Sequence, residues 1–180
     1  MNTNKIILDL CGGTGAWSRP YFEAGYDVRN ITLPSFDVRL YVPPLSIYGV
    51  LAAPPCTHLA ASGAQWWAKK GEIALLEALS LVDSCLRIIL ITQPIFWVLE
   101  NPVGRLSKYL GKPKVIFNPC DYGDPYTKRT CLWGNFNIPK KTPVEPMEGS
   151  KMWWKYGGGQ NDIRSITPQG FAQAFFEANK

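Results

Sequence analysis

Two reactive side chains each follow an apolar run. Cys56 comes after residues 47–53 and two prolines, and Glu100 comes directly after residues 95–99. Apolar runs of this length are typical of buried strands, and proline ends a strand because it cannot donate to the sheet ladder. Ligands of open α/β sheets bind at the carboxyl ends of the strands. A thiol and a carboxyl there suit nucleophilic and acid–base chemistry.

A glycine turn precedes both runs. Residues 5–10 predict a strand, Gly12-Gly13-Thr14-Gly15 predicts a tight turn, and residues 17–24 predict a helix. Glycines let a backbone approach a ligand closely, and the helix that follows offers its N-terminus. The turn alone is a weak signal. The order glycine turn, Pro-Pro-Cys and Glu-Asn-Pro, each at a strand end, is more specific.

The remaining elements alternate between strand and helix. Leucines, isoleucines and alanines at helical spacing predict a long crossover helix over residues 72–92. Further strands are predicted at 27–31, 115–117 and 130–133, a turn at 37–39, and a last helix at 168–179. This alternation predicts an α/β fold with a doubly wound, mainly parallel sheet, in one domain over residues 1–180.

The bulk composition narrows the class of protein. The chain has 180 residues, 46% of them hydrophobic and 18% charged, as in soluble globular proteins. No apolar stretch is long enough to span a bilayer and no signal peptide is evident, so a cytoplasmic location without membrane contact is expected. Five irregularly spaced cysteines favour reduced thiols. The net charge of +5 suits a nucleic-acid partner without requiring one.

Five segments resemble, in order, the motifs of the DNA cytosine C5-methyltransferases. They are Asp9-Leu10-Cys11-Gly12-Gly13-Thr14-Gly15, Ala53-Pro54-Pro55-Cys56, Glu100-Asn101-Pro102, Tyr122-Gly123-Asp124-Pro125-Tyr126-Thr127-Lys128-Arg129 and Arg164-Ser165-Ile166-Thr167-Pro168. The resemblance implies a small, phage-like enzyme with a Rossmann-like fold, located in the host cytoplasm if a phage encodes it. It also implies S-adenosyl-L-methionine as cofactor and DNA as the expected substrate.

The resemblance implies three catalytic residues. Cys56 would add to C6 of cytosine, although most free cysteines are simply buried and inert. Glu100 would donate a proton to N3, which requires a raised pKa, or it would be an ordinary capping or salt-bridging residue. Arg129 belongs to the weakest match, because Lys128 and Thr130 stand where the family has arginines. It would help to ionise Cys56, together with Lys128, or act as a surface cation.

The resemblance also implies a cofactor site. Its expected members are Asp9, Leu10, Cys11, Gly12, Gly13, Thr14, Gly15, Trp17, Asn30, Asp37 and Pro54. The acid that usually follows the second strand of this fold is missing, so Asn30 or Thr32 would bind the ribose more weakly. Asp37 would contact the adenine amine, or it would be a turn residue. A side chain at Gly13 or Gly15 is expected to block the site.

Three side chains near Cys56 have less certain roles. His58 is the single histidine, and the segment lacks further ligands at metal spacing, so we expect no metal site and a loop or substrate contact instead. Trp66 and Trp67 would stack on bases or pack into the core.

Two departures from the family limit the inference. Residues 135–163 replace a large target recognition domain, and the final family motif has no clear counterpart. We therefore expect relaxed sequence preference, with Lys151, Trp153, Trp154 and Lys155 contacting nucleic acid, or a protein partner that supplies target recognition. A non-catalytic binding or regulatory module, and an enzyme acting on nucleotides or single strands, remain alternatives.

Overall fold

The computed structural model describes residues 4–150 and 165–180. Its strands are β1 (Ile6–Leu10), β2 (Asp27–Ile31), β3 (Gly49–Ala52), β4 (Phe96–Pro102), β5 (Val115–Phe117) and β6 (Thr130–Asn135). Its α-helices are α1 (Arg19–Glu23), α2 (Trp67–Thr92), α3 (Ser107–Leu110) and α4 (Gln169–Ala178), with 3-10 turns at Ala61–Trp66 and Pro119–Tyr122. Every predicted strand and helix is present; β2 and β5 have the predicted bounds, and the other elements have shifted ends.

The six strands form one sheet in the order β2-β1-β3-β4-β6-β5. Strands β2, β1, β3 and β4 are parallel, whereas β6 is antiparallel to both β4 and β5. The sheet is therefore mixed, and the expectation of a mainly parallel sheet holds only for its first four strands. The chain runs outward from β1 in both directions, so the carboxyl ends of β1 and β3 flank the switch point at which α/β folds bind ligands.

Strand β4 is longer than predicted. Glu100 and Asn101 were expected just after the strand, but they pair with Leu132 and Cys131 of β6 and lie inside it. The reason is that β3 ends opposite Leu99 while antiparallel β6 continues the pairing to Pro102. Glu100 still lies one residue beyond the last contact with β3, at the edge of the parallel half of the sheet.

Two hydrophobic layers cover the two faces of the sheet. On one face, helix α2 packs through Val82, Cys85 and Ile88, all buried. On the other face, helices α1 and α4 form an aromatic layer in which Tyr21 and Phe176 meet edge to face at 4.9 Å. Successive residues of a strand point to opposite faces of the sheet, so the position of a functional residue along its strand decides which layer its side chain faces.

Helix α2 begins earlier than the predicted residue 72, but it is broken there. Gly71 has φ of +72°, a left-handed conformation that favours glycine, and regular helix resumes after it. The turn Trp67–Lys70 is thereby directed away from the helix axis. Within the part of the chain that the structure describes, no helix combines the length and the apolar character needed to cross a membrane.

Only part of the proposed recognition segment 135–163 is described. Residues 140–149 are exposed and irregular, and Thr127 N–H donates to the Gly149 carbonyl at 2.9 Å. The predicted nucleic-acid contacts of Lys151, Trp153, Trp154 and Lys155, and Arg164 of the last motif, lie outside the described residues.

Candidate active site

The predicted motifs converge on one edge of the sheet. Leu10 of β1 is paired with Ala52 of β3, which is paired in turn with Leu99 of β4. The glycine turn, the Pro-Pro-Cys segment and Glu100 leave these three points in the same direction, because the strands are parallel. The structure therefore places the first three motifs at one edge of the sheet, beside the switch point.

The glycine turn folds back on strand β1. A Cβ atom on Gly12 would lie 2.3 Å from the Asp9 carboxyl carbon, so only glycine fits at that position. Gly15, with φ of +72°, closes the turn by donating to the Gly12 carbonyl at 2.9 Å. At Gly13 an added Cβ would meet nothing within 4 Å. The turn thus presents open backbone at Gly13 and packs tightly at Gly12.

Asp9 is a buried carboxylate under this turn. It has no exposed surface, and Ser18 Oγ donates to its Oδ2 at 2.6 Å. Burial raises the pKa of Asp9 to about 6, and the hydrogen bonds from Ser18 oppose that rise. Its Oδ1 is buried without a hydrogen-bond partner. Such an orphan acceptor is costly, so a bound donor would stabilise it.

Asn30 supports the turn, which the sequence did not indicate. It pairs with Asp9 across β1 and β2, and its Nδ2 donates to the Gly13 carbonyl at 3.0 Å. Its Oδ1 is buried without a partner. The amide therefore has one free acceptor for a ligand, while its donor is already used. Thr32, the alternative ribose contact, follows the end of β2 and is partly buried.

Asp37 is engaged locally, next to the site. Its carboxylate accepts hydrogen bonds from the Arg39 backbone N–H and Nε, both at 2.9 Å. The Arg39 guanidinium lowers the pKa of Asp37 to about 2. The turn predicted at 37–39 is present, and the Leu40 N–H closes it by donating to the Asp37 carbonyl at 3.0 Å. A contact with adenine would have to share a carboxylate that Arg39 already binds.

Trp17 lies below the site rather than along an open wall. It is almost completely buried, and its ring meets Phe171 and Phe175 of α4 at 5.8 and 5.6 Å. Its Nε1 is buried without a partner. Helix α4 therefore fixes the residue between the glycine turn and α1. Aromatic residues of α4 were not identified as site components, because their spacing is also that of any core helix.

Cys11 contacts a neighbour that the sequence did not suggest. Its φ is +58°, and its thiol hydrogen-bonds the buried Cys85 of α2. That bond and burial raise the pKa of Cys85.

The Pro-Pro-Cys segment is attached to strand β4. Asn101 Nδ2 donates to the Pro54 carbonyl at 2.9 Å, and Asn101 is completely buried. After Cys56 the chain turns sharply, because the Leu59 and Ala60 N–H groups both donate to the Cys56 carbonyl at 2.9 Å. The thiol is partly exposed. Asn101 was noted only as part of a motif, and its role as the clamp between Glu100 and Cys56 became visible only in three dimensions.

Glu100 points to the face that carries the aromatic layer. It lies two residues after Val98, whose side chain packs in that layer. Burial raises the pKa of Glu100, and the nearby Lys128 ammonium opposes the rise. A carboxyl with a raised pKa is the form that could donate a proton.

Lys128 and Arg129 approach from the segment before β6. Arg129 is exposed, and its carbonyl accepts from the Val103 N–H at 3.0 Å. Cys131 of β6 pairs with Asn101. Burial raises the pKa of Cys131, and the charge of Arg129 opposes that rise. The charge of Lys128 therefore acts on Glu100, and that of Arg129 acts on Cys131.

The other end of this motif has a structural role. Asp124 Oδ2 accepts from the Gly170 N–H at 3.0 Å, at the start of α4. A Cβ on Gly170 would lie 1.9 Å from the Tyr122 carbonyl oxygen. The Tyr-Gly-Asp-Pro segment thus fixes helix α4 against the sheet.

The two tryptophans near Cys56 differ in exposure. Trp66 is half exposed, whereas Trp67 is partly buried under the Arg105 guanidinium, 4.7 Å from its ring centre. His58 is partly buried and its carbonyl accepts from Arg105. Among residues 4–150 and 165–180, no three His, Cys, Asp or Glu side chains come together as metal ligands.

Comparisons with known proteins give a likeness in fold. No protein-family model and no curated protein matches the sequence. A solved structure that does match is a prophage-encoded protein of E. coli, provisionally described as a DNA modification methyltransferase, at 18% identity with a TM-score of 0.52. The match covers 79% of this chain and 52% of that one, so this chain spans about half of its length. The chain therefore shares its α/β fold with that methyltransferase-like protein.

Proposed function

We propose that the chain transfers a methyl group from S-adenosyl-L-methionine to C5 of cytosine in DNA. The observation that carries the proposal is the clamp from Asn101 to the Pro54 carbonyl, 2.9 Å long. It joins strand β4, which bears Glu100, to the segment that bears Cys56. A nucleophile and a proton donor would then act on one cytosine ring from adjacent parallel strands.

The residues around the glycine turn fit the cofactor. Three buried polar atoms lack partners there, namely Asp9 Oδ1, Asn30 Oδ1 and Trp17 Nε1. The amino group and ribose hydroxyls of S-adenosyl-L-methionine could supply the donors that the two oxygens lack. The exposed backbone at Gly13 would carry the methionine part. When bound, this cofactor supplies an electrophilic methyl group on its sulfonium.

The chain's own residues would then act in sequence. The Cys56 thiolate forms a bond to C6 while Glu100 donates a proton to N3, which gives C5 the electron density to accept the methyl group. After the C5 proton is lost to a base, the Sγ–C6 bond breaks and the thiolate is restored. Glu100 takes back its proton from N3. Atoms balance, because one methyl group replaces one proton at C5, the base holds that proton, and the cofactor would leave as S-adenosyl-L-homocysteine.

The substrate is expected to be a nucleotide within a polymer. In duplex DNA the target cytosine would have to rotate out of the stack, because C6 is otherwise covered. Lys128 and Arg129 offer positive charge for the flanking phosphates. We propose relaxed sequence preference, or a protein partner that supplies recognition, because residues 135–163 are few for reading base edges in a groove.

A methyl-transfer assay with labelled S-adenosyl-L-methionine tests the proposal. Duplex DNA, single-stranded DNA and free cytidine nucleotides serve as parallel substrates, and bisulfite sequencing locates the product. We expect label on cytosine C5 in DNA and none with Cys56→Ser. Wild-type activity in Cys56→Ser would refute the mechanism. Retained DNA binding without any binding of the cofactor by calorimetry would favour the non-catalytic module instead.

A further inference from the structure

The backbone around Cys56 is held by side chains from two other elements. Lys70 Nζ, at the break in α2, donates to the Thr57 carbonyl at 3.1 Å. Arg105 Nε, from the segment after β4, donates to the His58 carbonyl at 2.7 Å. The carbonyls of the two residues that follow the thiol are thus each bound by a cation.

Arg105 is packed far more firmly than a surface arginine. Its guanidinium lies 4.7 Å from the centre of the Trp67 ring, and its backbone N–H donates to the Leu59 carbonyl at 2.9 Å. Its Nη2 is buried without a hydrogen-bond partner. A neutral amide could satisfy the His58 carbonyl equally well. The partly buried guanidinium therefore contributes positive charge and planar stacking, which the carbonyl bond alone does not require.

The segment that carries Arg105 is docked onto the same loop. Gly104 forms a bridge with Ala60, and a Cβ on Gly104 would lie 2.0 Å from the Leu59 carbonyl oxygen. The Ala61 N–H donates to the Val103 carbonyl at 2.9 Å. This approach leaves Arg105 little freedom to move relative to Cys56.

We propose that Lys70 and Arg105 are positioning residues that hold the Cys56 loop and supply the positive charge that favours the thiolate. The inference rests on the proposed function, in which Cys56 is the nucleophile. Sequence reasoning assigned this charge to Lys128 and Arg129. In the structure Lys70 and Arg105 bind the loop itself, while Lys128 also acts on Glu100 and Arg129 on Cys131.

The pH dependence of Cys56 involves charges from every element around its loop. They are His58 within the loop, Lys70 from α2, Glu100 and Arg105 from β4 and the segment after it, and Lys128 and Arg129 before β6. Removing one cation near a thiol raises the pH at which it ionises, because the thiolate loses an attractive charge. For a partly exposed site we expect a shift of about 0.5–1 pH unit.

Alkylation of Cys56 by iodoacetamide, followed by peptide mass spectrometry across pH, measures this midpoint in the whole folded chain. We expect Lys70→Gln and Arg105→Gln each to raise the midpoint, and Arg105→Lys to restore most of it. Lys69→Gln and Lys108→Gln remove exposed cations beside each residue and should leave the midpoint unchanged. In methyl transfer, Arg105→Lys should lower kcat about tenfold without changing KM, because its ammonium cannot reproduce the stacked fork.

An unchanged midpoint in either glutamine variant that folds, judged by thermal melting, would overturn the proposal. If Arg105→Gln does not fold, Lys70→Gln decides the charge and Arg105→Lys decides the geometry. A midpoint that moves equally in the control variants would also overturn it, because the effect would then be one of net charge. The alkylation result is independent of turnover, so an active Cys56→Ser would refute the proposed function and leave this measurement interpretable.

Discussion

Asp9→Asn should make the protein more stable at neutral and alkaline pH and weaken cofactor binding. The carboxyl is completely buried and burial raises its pKa from 3.8 to about 6. Asparagine has nearly the same shape, so it should fit against Gly12, and its oxygen can still accept from Ser18. It removes the charge that is unfavourable in this position, and it replaces Oδ1 by an amide NH2 that cannot accept a hydrogen bond from the cofactor.

The magnitude follows from the size of the shift. Because the pKa in the folded state lies above that in the unfolded state, the proton-linked stability is fully present below the unfolded value of 3.8 and is lost as pH rises through about 6. At 1.36 kcal/mol per pH unit, a rise from 3.8 to about 6 corresponds to about 3 kcal/mol. The stability difference between Asp9→Asn and wild type should therefore grow by about 3 kcal/mol between acid and mildly alkaline pH.

Urea unfolding over that pH range measures the difference, and calorimetry with S-adenosyl-L-methionine at mildly alkaline pH measures binding. Asp83→Asn removes an exposed carboxylate of α2 and is the matched control. A constant difference for Asp9→Asn would refute the assigned burial penalty. Unchanged cofactor affinity would show that Oδ1 does not accept a hydrogen bond from the ligand.

Four further substitutions test the rest of the site. Gly12→Ala should unfold the turn, because its Cβ would overlap the buried Asp9 carboxylate. Gly13→Ala should fold, with a free energy of unfolding lower by about 1 kcal/mol, and still lose cofactor binding. Thermal melting and calorimetry together would distinguish the two outcomes. Asn101→Ala should lower the free energy of unfolding by about 1–3 kcal/mol, because it leaves the Pro54 carbonyl unpaired; a negligible change in urea unfolding would contradict the clamp. Wild-type activity should fall as pH rises through the raised pKa of Glu100, because the carboxyl then loses the proton that it donates. Glu100→Gln should lower kcat by about 10²–10⁴-fold and remove that fall. A pH–rate profile of the variant that keeps its alkaline limb would argue for another acid.

The structure also changes one expectation about the cofactor pocket. Asn30 was expected to bind the ribose, more weakly than the acid that usually follows the second strand. Asn30 instead donates to the Gly13 carbonyl at 3.0 Å, and a carboxylate cannot make that bond. We now expect Asn30→Asp to loosen the turn and weaken binding, which calorimetry against wild type would measure.

Local pattern was enough to predict most elements of this protein and the order of its motifs. Helix α2 after Gly71 and helix α4 are marked by apolar residues at helical spacing, and β1, β2 and β5 by short runs bounded by turn residues. A glycine turn, a Pro-Pro-Cys and a Glu-Asn-Pro at successive strand ends predicted one shared crevice, because parallel strands end at the same edge. The order of the motifs along the chain is enough to predict that they share one site.

The tertiary structure decided which partners those residues have. Antiparallel β6 places Glu100 inside a strand, and residues far apart in sequence supply the contacts to Pro54 and His58 through Asn101 and Arg105. Such pairings depend on strand register and on buried hydrogen bonds, which leave no periodic signal in the sequence. For the same reason, the sequence could show that Asp9 precedes the glycine turn, but only the fold shows that its carboxylate is buried.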